Sequence, residues 1–164
     1  MWMPHAGYAE KETRQCNTSY AAVVNWHKRS TKDDMTNWDL CRKHKIPCER
    51  KWYMQEPQKV SENDQVKILR DFDVQTDNIT QHRRPDIIVV ERALQMCTII
   101  DVAVLGNSRV AEKEKEKIEK YQDLARQLHR LWNMKTKMIP IVVGALGTTP
   151  KQLRRHLDVV GVPD

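Results

Sequence analysis

No apolar run in the chain approaches the roughly 18 to 20 residues needed to cross a bilayer, so no membrane-spanning helix is expected. The start, Met1-Trp2-Met3-Pro4-His5, lacks the charged and apolar regions of a secretory signal. Cysteine is sparse as well. Four cysteines among 164 residues do not resemble the dense frameworks that staple small secreted domains, which favours a reducing, intracellular setting. A repeat of 20 to 50 residues is also missing, which excludes solenoids and propellers. The single biased tract, Glu112-Lys113-Glu114-Lys115-Glu116-Lys117, places opposite charges three residues apart and suits the start of a helix.

The balance of charge is basic: 28 Lys and Arg against 22 Asp and Glu give a formal charge of +6. Such a surplus favours polyanionic partners, nucleic acid first among them. The length fits one domain with a small appendage. Residues 1–55 are polar, hold three of the four cysteines and show little periodicity beyond a possible short helix over Ser19–Lys28, so they read as an adjunct. Residues 56–164 read as the principal domain.

Within that domain Ser61-Glu62-Asn63-Asp64 has the character of a helix end or turn, and a helix is expected before the first strand. Val66–Val74 then alternates like a strand. Ile87–Val90 and Cys97–Leu105 form a hairpin about the polar turn at 91–96. A long amphipathic helix follows, capped by Asn107 or Ser108 and reaching about Trp132, with Ile118, Tyr121, Ala125, Leu128 and Trp132 as its apolar stripe. Lys137–Leu146 is the next strand, with Pro140 near its start or on an edge. Thr149 as N-cap, Pro150 in the first turn, Gln152 closing a capping box, Leu153, Leu157 and Val160 as the buried face and Gly161 as the stop define a last helix. The expected architecture is α/β, with helices packed on a mixed four-stranded sheet.

Asp101 interrupts this pattern, since it sits inside the apolar run Cys97–Leu105. A carboxylate in a strand core must be neutralised, hydrogen-bonded or bound to a cation. If residues 92–95 make a four-residue loop, Glu91 pairs with Met96 and Asp86 falls opposite Asp101 on the same face, with Cβ atoms about 5 Å apart. A slip of one residue would separate them. Two carboxylates so close call for a proton or a metal, and oxygen donors suit Mg²⁺ or Mn²⁺. On the long helix, Glu114 and Lys117 lie within about 40° of the apolar stripe while Lys120 falls to the side. Ala103, which shares a face with Asp101, leaves room for a cation delivered by that helix.

Together, Arg84-Pro85-Asp86, Asp101, the stretch Glu116–Leu124 and Ile141-Val142-Val143-Gly144-Ala145-Leu146-Gly147 resemble the restriction-like endonuclease domain of non-LTR retrotransposon polyproteins, a branch of the PD-(D/E)xK nucleases. The similarity covers roughly residues 38–161. It implies a restriction-endonuclease-like fold and a nuclease that nicks target DNA so that the reverse transcriptase region of the same polyprotein can prime from the new 3′ end. It also implies Asp86 and Asp101 as the catalytic acids holding Mg²⁺ or Mn²⁺, and Lys117, or else Lys120, as the catalytic lysine. The plain family pattern has that lysine two residues after the second acid, where this chain has Ala103, so it is displaced onto the helix. Glu62 or Asp64 loosely match an assisting upstream acid. Tyr121 is a candidate phosphate contact, and nuclear residence follows from the substrate. The alternative is a non-catalytic nucleic-acid-binding remnant of the same domain.

Two further groups stand apart. Cys41, His44 and Cys48 form a C-x2-H-x3-C array that Cys16 or His27 would complete as a Zn²⁺ site. Arg42, Lys43 and Lys45, the triplet His82-Arg83-Arg84, and Lys151, Arg154 and Arg155 are candidates for contacts to DNA phosphates.

Overall fold

A computed structural model of the protein describes residues 29–56, 58–76, 84–106, 109–144 and 149–161. The chain runs through helix α1 (Arg29–Lys43), a 3-10 turn (Trp52–Met54), strands β1 (Val60–Glu62), β2 (Val66–Arg70), β3 (Ile87–Glu91) and β4 (Met96–Leu105), helix α2 (Val110–Trp132), strand β5 (Lys135–Gly144) and helix α3 (Leu153–Val160). The strands form one mixed sheet in the order β1-β2-β3-β4-β5. The first four are antiparallel in succession, whereas β4 and β5 are parallel, joined by α2 as the crossover.

Among the described residues the sheet has five strands, not the expected four. The extra one, β1, runs into the stretch expected to be a helix end or turn, and it is the turn that forms, built by Asn63. Its Oδ1 accepts from the amides of Gln65 and Val66 at 2.9 and 2.8 Å, which reverses the chain and pairs Ser61 with Ile68. Strand β2 stops at Arg70 rather than Val74, where Asp71 adopts φ 48 and leaves extended geometry. Strand β5 spans Lys135–Gly144, with Pro140 in its middle on the outer edge of the sheet, where its missing amide costs no ladder bond.

Both faces of the sheet are covered. Leu69, Ile88, Val90, Cys97 and Ile99 pack against Tyr121, Leu124 and Leu128 of α2. Burying each such side chain contributes about 1.5 to 3 kcal/mol, so this contact fixes where α2 lies. Across the helix the buried stripe is Tyr121, Leu124 and Leu128, with Ala125 and Trp132 alongside, while Ile118 is largely exposed. The opposite face, with Val66, Ile68, Ile87, Val89, Ile100, Ile139, Ile141 and Val143, packs on Leu40 and Cys41 of α1, Ile46, and Leu153 and Val160 of α3. The core therefore runs across the expected boundary at residue 55.

A helix precedes the first strand, as expected, but α1 ends at Lys43, well upstream of residues 61–64. Its inner positions include Thr36, Asn37 and Asp39, all buried, so no continuous apolar stripe announces it. Helix α3 begins at Leu153 instead of the expected capping box, since Pro150–Gln152 form a turn in which the Leu153 amide donates to the Pro150 carbonyl. Its stop is as expected: Gly161 takes φ 87, and its amide returns to the carbonyls of Leu157 and Asp158. Asn107 and Ser108, Leu146, and the segment Ser19–Lys28 lie outside the described residues.

Candidate active site

The hairpin register sets the geometry. Glu91 pairs with Met96 and Ile87 with Ile100, so the ladder continued by one residue sets Asp86 opposite Asp101, as the four-residue loop required. Strand β4 outlasts β3 at this end, and its next amide needs an acceptor that the β3 backbone no longer supplies. The Asp86 carboxylate takes that place, its Oδ2 accepting from the Val102 amide at 2.8 Å. The Asp86 backbone carbonyl meanwhile accepts from Asp71, which anchors the residue on its other side. Both acids are sequestered, Asp86 at 4 % and Asp101 at 0 % exposure.

Helix α2 supplies what Asp101 faces. The Tyr121 hydroxyl donates to Asp101 Oδ1 at 2.8 Å, and its oxygen also lies 3.4 Å from the Arg84 carbonyl. One turn earlier on the same helix face, the Lys117 ammonium forms an ion pair with Asp101 Oδ2. Lys117 is mostly buried, so its charge acts through a medium far less screening than water. Asp101 thus has a hydrogen-bond donor on one oxygen and a cation on the other. Asp86, Asp101 and Lys117 come together, along with Tyr121.

Lys120 does not join them; its ammonium sits 4.7 Å from the centre of the Tyr121 ring. Glu62 is at the other end of the sheet, exposed, and paired with Arg92 at 3.1 Å and Lys67 at 3.7 Å. Asp64 lies in the exposed β1–β2 turn. Among the described residues, no group of three His, Cys, Asp or Glu side chains is placed to hold a metal, and the register brings two acids opposite each other. Their chemistry still fits a hard divalent cation. Both donors are carboxylates, and a carboxylate offers about four lone-pair sites, of which the contacts to Asp101 use one on each oxygen.

Of the expected DNA contacts, Arg84 is held by Asp71 in a two-pronged pair, with Nε donating to Oδ1 at 2.6 Å. Arg83, like His82, lies outside the described residues. Lys151, in the turn before α3, and Arg155 on α3 are exposed, and Arg154 pairs with Asp158 at 3.4 Å. In the Cys/His array, Cys41 is fully buried and burial pushes its thiol above the ordinary range. Burial likewise lowers His44, which sits near Glu91 and Lys43. Cys48 is half-buried, and Cys16 and His27 lie outside the described residues.

A contact that the sequence reading did not find joins the two helices beside the site. His156 Nδ1 of α3 lies 3.4 Å from Glu114 Oε1 of α2, both side chains about 15 % exposed. Glu114 stands one turn before Lys117, and its nearness to the apolar stripe was the available signal. No family model matches the chain, and no curated protein matches it.

Proposed function

We propose that the protein is a divalent-metal-dependent DNA endonuclease with a restriction-endonuclease-like fold, the nicking domain of a non-LTR retrotransposon polyprotein. The observation that carries this reading is the pairing of two sequestered carboxylates, opposite each other in the sheet, with the Lys117 ammonium seated on the second. Asp86 and Asp101 would hold Mg²⁺ or Mn²⁺. Such an ion, when bound, polarises a phosphoryl oxygen and lowers the pKa of a water molecule to the range where it attacks at neutral pH.

The chain's own groups do the rest. Lys117 offsets negative charge gathering on the phosphate and orients the attacking water, at low cost in reorganisation because its position is preset. Tyr121 fixes the rotamer of Asp101 and so aims the free lone pairs of the carboxylate. The exposed cations Lys151, just before α3, and Arg155 on it would steer the DNA backbone. The expected partner is the reverse transcriptase region of the same polyprotein, and the expected place of action is the nucleus. Among the described residues no helix is long and apolar enough to cross a membrane.

The test is relaxation of supercoiled plasmid by the purified chain with Mg²⁺ or Mn²⁺. The reading expects nicked product from the parent and none with a chelator or with Asp101→Ala. A folded parent that binds DNA without cutting would favour the non-catalytic remnant, to which Ala103 at the plain lysine position already lends weight.

A further inference from the structure

Away from the carboxylate pair, residues 42–59 carry six Lys or Arg against two Glu, a large part of the chain's whole positive surplus. Aromatic rings are interleaved with these charges. Trp38 of α1 donates from Nε1 to the Glu49 carbonyl at 2.8 Å, which ties the segment that follows to the helix. The Arg42 guanidinium lies 4.7 Å from the centre of the Trp38 ring, and the Lys51 ammonium 5.4 Å from that of Tyr53. Trp52 and Tyr53 stand edge to face, their centroids 5.7 Å apart and their planes at 88°.

The 3-10 turn Trp52–Met54 holds these rings in place, with the Met54 amide donating to the Lys51 carbonyl at 3.0 Å. Yet Tyr53 remains 61 % exposed and Met54 60 % exposed. A large ring set edge to face against its neighbour and left mostly open to solvent is poorly explained by packing. Flat apolar area bordered by cations matches a nucleobase attached to phosphate. A duplex hides its base faces by stacking, so the fitting partner is a single strand, whose bases stack on aromatic rings whatever their sequence.

We propose that Tyr53, flanked by Arg50 and Lys51, is a stacking platform for single-stranded nucleic acid. This site is separate from the carboxylates, and its test needs no cleavage, so it stands or falls independently of the nuclease reading. Fluorescence anisotropy of a labelled 20-nucleotide oligo-dT, with the full chain and without divalent metal, measures it. Tyr53→Ala is expected to weaken binding about tenfold, the usual worth of one stacked base, while Tyr53→Phe stays within about twofold. Duplex of the same length should be unaffected by either change. Arg50→Gln with Lys51→Gln should flatten the salt dependence by about 1.4 units of slope, two lost contacts at roughly 0.7 each. That pair also carries the test if Tyr53→Ala lowers the melting temperature. Unchanged oligo-dT affinity in Tyr53→Ala, equal losses for single strand and duplex, or a parent that does not bind oligo-dT would each overturn the proposal.

Discussion

Tyr121 and Asp101, twenty residues apart, meet through a 2.8 Å hydrogen bond in which a tyrosine 1 % exposed holds a carboxylate at 0 %. The bond joins a helix to the central region of a sheet at the point where an acid would otherwise break an apolar strand. Fold and candidate chemistry therefore depend on the same contact.

Removing that hydroxyl should cost stability. Tyr121→Phe keeps the ring that packs with Leu124 and Leu128 but deprives Asp101 Oδ1 of its donor. Hydrogen bonds to charged groups contribute about 1.5 to 3 kcal/mol, and urea denaturation should show a loss in that range. A variant as stable as the parent would show that the bond is energetically idle.

The ion pair should behave as a unit. Lys117→Met alone strands a buried carboxylate, and Asp101→Asn alone strands a mostly buried ammonium. Each single change is expected to cost about 3 kcal/mol, with the double variant losing clearly less than their sum. Additive losses in a double-mutant cycle would show that the two side chains do not interact.

Much of this site was legible in the sequence because a hairpin is a counting device. A four-residue loop between two apolar runs sets the register, and the register sets Asp86 against Asp101. Lys117 followed from helical periodicity, since Tyr121 and Leu128 are apolar enough to define the buried face, even though Ile118 turned out exposed and Leu124 carries more of the packing. Helix α1 was opaque for the reverse reason: the buried polar Thr36, Asn37 and Asp39 erase the pattern that would reveal it. Strand β1 spans only three residues, too few to establish a period, and its pairing depends on the Asn63 side chain. The Glu114–His156 contact joins residues from separate helices, so the place of Glu114 near the apolar stripe is a signal for one partner and not for the other.

Stability should vary with pH through Asp39. Burial pushes its carboxyl up from 3.8 to about 6, with the Arg42 guanidinium opposing only in part. The folded state therefore binds this proton more tightly than the unfolded chain. The resulting stabilisation is complete below 3.8 and is lost as pH rises through about 6. Asp39→Asn cannot ionise, so relative to the parent it should gain on the order of 2 kcal/mol between pH 4 and pH 7.5. Denaturation of both proteins across that range checks the sign, and a difference independent of pH would contradict it.

Titration of Mn²⁺ into the chain, followed by the loss of the free-ion electron paramagnetic resonance signal, is the decisive measurement. It asks only whether Asp86 and Asp101 form one cation site, with no DNA or reverse transcriptase required. The parent is expected to take up Mn²⁺, Asp86→Asn and Asp101→Asn each to abolish uptake, and Lys117→Met, which removes a competing positive charge, to retain it. Uptake that survives both carboxylate substitutions, or no uptake by the folded parent, would contradict the account.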